Sequence, residues 1–413
     1  MSGRARSATT SPWVSECEGQ GVRCHLFVVG VPGTKRLLHL QEAVSRRPGM
    51  QMHVWSWLDV IRGEVDWTEL RRHDRCFLRL ESPGKDWAVE QAILQRGSGL
   101  DLEVGLESWT AEEVGSMTLR PGVILAQAQW WRGWCHVLWG IRRRLDEAPP
   151  TVFCTSPPEE VAILFHKHSC QMRLEAAAVP CPTASGIITG GYAEIRELME
   201  RREGGWKRLF LKPCHGSSAS GVVALEVSPR HGIQARSTVE MRSATRGRGE
   251  LFNSRRVKLY TDPVQVEQLC EAVSRHRAYA QQWVPKAGWQ GLRMDLRVVV
   301  IAGRARHVVP RLSEAPMTNL QLGGRRGEAE ELRAHMGEEA WQRLIMTAEA
   351  AAAAFATSLH VSLDIAPTSG FRRFLVLEAN AFGDFLPDLL WEGRETYDWE
   401  LDAMLAQVST SGA

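Results

Sequence analysis

The chain has 413 residues, of which 44% are hydrophobic and 24% are charged, and its formal net charge is +2. This length permits two or three domains, each with a hydrophobic core of its own. The small net charge provides no general basic field and therefore argues against nucleic acid or an anionic membrane as a partner. No apolar run in the sequence is long enough to span a membrane.

The amino-terminal residues 1–20 are rich in Ser, Thr, Arg and Gly and lack the apolar run of a secretory signal. We therefore expect a disordered tail there, and a short second tail at 406–413. The nine cysteines form no CxxC pair, and an odd number is typical of reduced thiols in the cytoplasm, which is the location we predict. The His-rich run at 166–170 lacks a second ligand pair at zinc-site spacing, so it does not predict a zinc site.

Residues 21–150 predict a small α/β domain. The apolar strand Cys24–Val31 is followed by a Pro-Gly turn and a helical pattern, which is a strand-turn-helix opening. We interpret 123–126 as the last buried strand of this domain. A Trp-rich amphipathic helix follows, and the domain is expected to end near Pro150.

Residues 151–280 predict a second unit that contains a glycine- and serine-rich hairpin. The apolar strand 209–211 leads into the run 212–221, and another apolar strand follows at 222–227. Backbone amides in such a link can close over an anion, but no helix follows, which distinguishes it from a Walker loop or a Rossmann turn. Residues 228–262 carry seven arginines and little periodicity, so we predict a long mobile loop or substrate-side insertion, which either attracts an acidic substrate or is simply solvated.

Residues 281–405 predict a third unit with two strands that carry oxygen ligands. The strand Phe374–Asn380 reads F-L-V-L-E-A-N, which places Glu378 and Asn380 on the same face. Asp364 lies in another apolar run and joins them if the two strands are neighbours. Carboxylate and amide oxygens suit a hard cation such as Mg²⁺; the alternative is acidic groups at the surface.

The order of these features resembles the ATP-grasp superfamily of carboxylate ligases, in particular its glutamate-ligase-like and spore-coat-associated branch. The resemblance covers about 156–398 and implies a fold of α/β and α+β class, in which two α+β lobes at 151–280 and 281–405 clamp ATP. The domain at 21–150 then corresponds to the pre-ATP-grasp domain. The motifs that carry the resemblance are Lys167, Lys212 with its hairpin, Q-Q-W-V at 281–284, D-L-R at 295–297, Arg311, N-L-Q-L-G-G at 319–324, Asp364 and E-A-N.

The resemblance also implies roles for individual residues. The nucleotide-binding set is Lys167, Lys212, Gly216, Ser217, Ser218, Gly221, Gln281, Gln282, Trp283, Val284 and Asn319. The metal ligands are Asp364, Glu378 and Asn380, which would hold Mg²⁺ or alternatively Mn²⁺. Arg297 and Arg311, with Lys212, would act on the transferred phosphoryl group or on the substrate carboxylate; the alternative for both arginines is a surface salt bridge. The chain departs from its relatives at Gln281, where many carry glutamate, and at His166, where they commonly carry aspartate. The segment after Asn380 also differs from the short turn usual in the amino-acid ligases, and this difference leaves the substrate open.

The implied function is an ATP- and Mg²⁺-dependent carboxylate ligase. An acyl phosphate would be attacked by an amine, a thiol or another nucleophile, on a peptide or small metabolite. The expected partners are ATP, a carboxylate substrate and a nucleophilic acceptor, with a homodimer as an allowed assembly. The alternatives are an ATP-dependent phosphotransferase that acts on a hydroxyl group and a non-catalytic nucleotide-binding partner protein.

Overall fold

The computed structural model describes residues 24–410 except for 85, 101, 119, 202, 217–219, 231 and 243–249. The amino-terminal tail that we predicted, and residues 411–413 of the second tail, lie outside these residues. The strands are β1 Cys24–Gly30, β2 Met50–Ser56, β3 Cys76–Leu80, β4 Val152–Cys154, β5 Ala184–Ile187, β6 Arg208–Pro213, β7 Val223–Ser228, β8 Gly232–Arg242, β9 Glu250–Tyr260, β10 Ala278–Gln282, β11 Gly288–Trp289, β12 Leu292–Ile301, β13 Arg304–Ser313, β14 Arg325–Arg326, β15 His360–Pro367 and β16 Phe374–Asn380.

The α-helices connect and cover these strands, and short 3-10 helices lie at Trp67–Arg72, Leu320–Leu322 and Ser369–Phe371. The α-helices are α1 Lys35–Ser45, α2 Trp57–Arg62, α3 Trp87–Arg96, α4 Ala111–Ser116, α5 Gln127–Asp146, α6 Pro158–Leu164, α7 Lys167–Ala176, α8 Gly191–Glu200, α9 Pro263–Ser274, α10 Ala329–Met336, α11 Glu338–Ala353 and α12 Thr396–Thr410. Within the described part of the chain, no helix combines the length and the apolar character needed to cross a bilayer.

The first sheet has four parallel strands in the order β2-β1-β3-β4. Its fourth strand lies at 152–154, beyond the expected domain end. The expectation of a strand at 123–126 is wrong: Val123 makes only an isolated bridge to Phe252, and the Ile124 amide donates to Leu251 O at 2.8 Å. This segment therefore pairs with β9 in the second sheet instead of completing the first.

The second sheet is antiparallel, with the order β5-β10-β6-β7-β8-β9. Our expectation of a mobile loop at 228–262 is wrong for the described part of that segment. There, β8 pairs with both β7 and β9, so the arginine-rich segment extends the sheet. Ile233 and Ala235 of β8 are buried, with the more exposed Gln234 between them, and this short alternation was hidden by the arginines around it.

The third sheet is antiparallel, with the order β14-β13-β12-β15-β16, and β11 pairs with the start of β12. Helix α11 packs on it through a buried stripe that includes Trp341, Leu344 and Ala348. The helix ends at Ala353 and leads through a short segment into β15.

The cores divide the molecule into two packing units. The second sheet is filled by its own cluster, which includes Leu209, Leu211 and Val223. A single cluster instead connects one face of the first sheet, through residues such as Phe27 and Trp134, to the third sheet. The first sheet is therefore fixed to the third sheet, while the second sheet and its helices form a lobe with a separate core.

Candidate active site

Strands β15 and β16 bring the predicted oxygen ligands together. They pair antiparallel, and Asp364 lies opposite Glu378 while Asn380 lies opposite Ser362. The sequence-based condition that these strands be neighbours is therefore met. The Asn380 Nδ2 atom is buried and has no hydrogen-bond partner in the described part of the chain. The Asp364 and Glu378 carboxylates and the Asn380 amide oxygen are ligands of the kind that hold a hard divalent cation.

Two arginines hold the Asp364 carboxylate. Arg297 lies opposite Asp364 in the β12–β15 pairing, and its Nε and Nη2 atoms donate to the two carboxylate oxygens at 2.6 and 3.2 Å. Arg311 Nη2 lies 3.1 Å from Oδ2 of the same group. Burial opposes the charged form of Asp364, but Arg297 and Arg311 outweigh it and hold the pKa of this carboxyl below its usual range. Both arginines therefore bond a candidate metal ligand, and Arg311 is buried, which excludes the surface salt bridge as its environment.

A second buried carboxylate, Asp295, extends this charge network. Its oxygens accept from Arg311 Nε at 2.7 Å and from Lys286 Nζ at 2.9 Å, and Thr318 Oγ1 also donates to it. Burial disfavours the charge on Asp295, yet Arg311 and Lys286 together hold its pKa far below the usual range. Asn319, the predicted nucleotide contact, is the residue after Thr318 and precedes the short 3-10 helix at 320–322.

Lys167 spans from helix α7 to the other carboxylate. Its Nζ lies 3.1 Å from Glu378 Oε1, and its backbone amide donates to Cys214 O at 2.8 Å. His166 caps the helix, because its Nδ1 accepts from the Ser169 amide at 3.2 Å. In this way the start of α7 joins the β6–β7 hairpin to the candidate metal ligands.

Lys212 faces the same cleft from β6 of the other lobe. Its Nζ donates to Gln281 Oε1 at 2.6 Å, and Gln281 Nε2 in turn donates to Gln171 Oε1 at 2.8 Å. Burial lowers the pKa of Lys212 to about 8, although Glu378 opposes this shift. Lys212 is thus within electrostatic range of the second lobe's carboxylate, which places the two predicted lysines at one site.

The segment between the lobes, residues 281–286, is called the hinge below. The Gln282 amide donates to Thr183 O at 2.8 Å and the Trp283 amide donates to Arg208 O at 3.2 Å. The Trp283 ring lies 5.1 Å from the Phe210 ring, measured between centroids, so two aromatic rings flank the cleft beside the hinge. A cavity of about 660 Å³ opens between the lobes; its lining includes Arg208, Glu226, Trp283, Lys286, Arg293 and Glu314.

The glycine-rich hairpin is described only at its two ends, and Ser217 and Ser218 lie outside the described residues. Gly221 has φ +76°, and a Cβ there would lie 2.6 Å from Pro213 Cγ, so a larger residue strains this turn. A Cβ on Gly216 would lie 2.8 Å from Ser220 O. Close packing against the Pro213 ring at one end and the Ser220 carbonyl at the other accounts for the two glycines.

The segment after β16 is anchored to the first sheet by a buried ion network. Asp384 accepts from Arg36 Nη2 at 2.5 Å and from Arg79 Nη2 at 2.6 Å. Arg79 also bonds Glu81 at 2.7 Å, and it bonds Glu400 of α12. Burial opposes the charge on Asp384, but Arg36, followed by His360 and Arg79, holds its pKa far below the usual range. The first domain therefore braces the strand that carries Glu378 and Asn380.

Sequence reasoning missed Lys286, Thr318 and Gln171. Lys286 is the last residue of the hinge, and its only signal in the sequence was a lone lysine after Pro285. Gln171 lies four residues after Lys167 on α7, and this spacing places both on one face of the helix.

No protein-family model matches the sequence, and no characterised protein matches it by sequence. Among solved structures, D-cycloserine synthetase DcsG superposes with a TM-score of 0.50 at 15% identity, over 93% of this chain and 99% of that one. The chain has the ATP-grasp fold. At 15% identity, the likeness concerns the fold alone.

Two further structures are similar at lower scores. D-alanine–D-alanine ligase from Bacillus anthracis, in complex with ATP, has a TM-score of 0.49 at 12% identity, over 95% of this chain and 99% of that one. ATP-grasp ligase PsnB, in complex with precursor peptide PsnA2 and AMPPNP, has a TM-score of 0.46 at 13% identity with the same coverage. In the terms of the ATP-grasp fold, the second and third sheets are the two lobes, and the first sheet belongs to the preceding α/β domain.

Proposed function

We propose that this chain is an ATP- and Mg²⁺-dependent carboxylate ligase that activates a carboxylate as an acyl phosphate. The observation that carries the proposal is the meeting of Asp364 and Glu378 on paired strands with cations from both lobes. Two carboxylates with Arg297, Arg311 and Lys167 leave one positive charge in excess. Lys212 adds a further cation from the first lobe, so the site suits a polyphosphate with a bound metal.

The nucleotide is assigned to the cleft between the lobes. The base would lie beside the hinge, next to Trp283, where the carbonyl of Gln282 and the amide of Val284 would read its edge. The Gln282 amide already donates to Thr183, so it takes no part in this contact. The triphosphate would extend towards Lys167 and Lys212, under the hairpin that begins at Gly216.

The donor set at the end of β16 fits magnesium. Asp364 and Glu378 supply carboxylate oxygens, and Asn380 supplies an amide oxygen while its Nδ2 is buried without a partner among the described residues. Mn²⁺ accepts the same ligands. When bound, this ion would neutralise charge on the phosphate oxygens. Lys167 forms an ion pair with Glu378, so its ammonium group would have to move towards the phosphates when nucleotide and metal bind.

The chemistry follows in two displacements. A carboxylate oxygen of the substrate attacks the γ-phosphorus, the bond from this phosphorus to the β,γ-bridging oxygen breaks, and ADP leaves. The nitrogen of an amine then attacks the acyl carbon, the bond to the phosphate oxygen breaks, and inorganic phosphate leaves while the amine loses a proton. Arg297 and Arg311 would hold the transferred group in line, because guanidinium groups match phosphoryl oxygens.

The acceptor class is proposed from chemistry alone. Acyl phosphates react with amines, and a ligase of this fold needs no protein nucleophile, so Cys214 has no assigned step. Burial raises the pKa of the Cys214 thiol to about 12, which keeps it unreactive. A peptide or a small metabolite would supply the carboxylate and the amine.

Isothermal titration with a non-hydrolysable ATP analogue, with and without Mg²⁺, tests the proposal. We expect magnesium-dependent binding that is lost in Lys212→Ala and retained in Lys207→Ala, an exposed lysine of the same lobe. A screen of candidate carboxylates and amines then measures the release of ADP and inorganic phosphate. Release of both with a new amide supports the ligase, whereas a phosphorylated product without free phosphate supports a phosphotransferase. Binding that is indifferent to Lys212 contradicts the assignment of the cleft.

A further inference from the structure

Three histidines meet on the first sheet, away from the cleft. His25 is the second residue of β1, His53 lies in the middle of β2, and His73 follows the 3-10 helix Trp67–Arg72. One ring nitrogen from each lies within 4.8 Å of the others, and His25 Nδ1 is 3.0 Å from His53 Nε2. All three are partly exposed.

The rings pack closely on one another and on the core. The His25 and His73 rings lie 3.6 Å apart with an interplanar angle of 20°, and the His53 ring lies 4.5 Å from Phe27 at 14°. Phe27 is fully buried in the core beneath the cluster. Two of the histidines stand on paired strands, so their backbones are fixed as well.

We propose that His25, His53 and His73 form a zinc-binding site. Zinc binds imidazole nitrogen at about 2.0–2.1 Å, which separates two tetrahedral ligand atoms by about 3.3 Å. The observed 3.0 Å between His25 Nδ1 and His53 Nε2 is close to this spacing. A ring nitrogen of His73 lies within 4.8 Å of both, and the His73 ring would have to rotate out of its stack on His25 to reach the third position. A water molecule or an external ligand would complete the tetrahedron.

The donor type separates this site from the candidate ATP site. Three nitrogen donors suit Zn²⁺, Cu²⁺ or Ni²⁺, whereas Mg²⁺ requires oxygen. A second group with suitable spacing, His360 with Asp384 and Glu400, differs because Arg79 bonds both carboxylates. An ion there would compete with the buried guanidinium of Arg79.

Bound zinc is expected to stabilise the first domain by cross-linking three of its segments. The ion would join residues 28 positions apart in β1 and β2, together with the chain that leads into β3. Binding to the folded state alone raises the thermal midpoint. The cluster lies near the amino end of β1, whereas Arg36, after the carboxyl end of β1, contacts Asp384 beyond β16. Zinc binding is therefore expected to leave nucleotide affinity unchanged.

The test uses the untagged full chain, because a histidine tag binds the same metals. Zinc sulfate is titrated against a chromophoric chelator with wild type, with the double variant His53→Asn/His73→Asn, and with His136→Asn, an exposed histidine on α5. We expect one tight equivalent in wild type and in His136→Asn. Loss of two ligands should weaken this equivalent by at least about 100-fold, since removal of a ligand's supporting partner already costs 10- to 100-fold.

Two results overturn the proposal: no tight zinc in wild type, or the same tight equivalent in the double variant. If the double variant does not fold, as judged by circular dichroism, the absorption of Co²⁺ bound to wild type decides. Tetrahedral bands without a thiolate charge-transfer band support the histidine site. A thiolate band, or the spectrum of a six-coordinate ion, refutes it.

Discussion

Asp364 and Glu378 face each other directly across the antiparallel strands β15 and β16, and each carboxylate already has a cationic partner from another part of the chain. Arg297 reaches Asp364 from β12, and Lys167 reaches Glu378 from α7. Both carboxylates are therefore already neutralised by the protein itself, and nucleotide with metal would exchange these partners instead of entering an uncompensated acidic cluster.

Replacing Glu378 with glutamine should weaken magnesium-dependent nucleotide binding by at least about 10-fold, because a charged oxygen ligand becomes a neutral one. Titration of a non-hydrolysable analogue with and without Mg²⁺ measures the change. Glu339→Gln, on the exposed side of α11, is the matched control and should bind as wild type. Equal affinities in the two variants would show that Glu378 is no metal ligand.

Nucleotide affinity should fall as pH rises through about 8. Burial lowers the pKa of Lys212 to about 8, so the ammonium form that attracts phosphate is complete below this pH and is lost above it. Measurements of nucleotide affinity between about pH 6 and about pH 10 locate the pH of this fall. Lys212→Arg, whose guanidinium stays charged, should flatten it.

The contact between Lys212 and Gln281 provides a second test of whether Lys212 causes the fall in nucleotide affinity near pH 8. In Gln281→Glu, a carboxylate would replace the amide oxygen that lies 2.6 Å from Lys212 Nζ. The added negative charge should raise the pKa of Lys212 and move the fall in affinity to higher pH. If nucleotide affinity of this variant still falls near pH 8, a group other than Lys212 causes the fall.

Gly221→Ala should impair both folding and nucleotide binding. A positive φ costs a non-glycine residue about 1–2 kcal/mol, and the new Cβ would also meet Pro213 Cγ at 2.6 Å. Gly291→Ala is the control, because its φ is +75° but no atom lies within 4 Å of the added Cβ. Denaturant unfolding should show the larger loss for Gly221→Ala, and only this variant should lose nucleotide affinity.

Arg79→Met should destabilise the fold by about 3–5 kcal/mol, because it would leave Glu81, Asp384 and Glu400 buried without their shared cation. Urea unfolding of the full chain measures the cost. Arg46→Met removes a more exposed ion pair with Asp398 and should cost no more than about 1 kcal/mol. A similar small cost for Arg79→Met would show that the buried network contributes little.

Short-range patterns in the sequence located much of the fold. The apolar runs at 209–211 and 374–380 lie in strands β6 and β16, and strands β6 and β7, which flank the glycine-rich run, pair antiparallel. These short-range patterns did not predict how strands from different parts of the chain pair with one another. The apolar run at 123–126 joins β9 instead of the first sheet, and the arginine-rich segment becomes β8 and β9 because β7 offers an edge to pair with.

The sequence by itself determined the chemical types that the site can use: Glu378 and Asn380 on one strand face, and Lys212 beside a glycine- and serine-rich run. These follow from residue identity and the two-residue period of a strand, which are local properties. Only the tertiary structure decided that Arg297 and Arg311 converge on Asp364, that Lys286 joins Asp295, and that three histidines meet on the first sheet. Such contacts connect residues far apart in the chain, and their distances depend on strand pairing and burial, which no local pattern encodes.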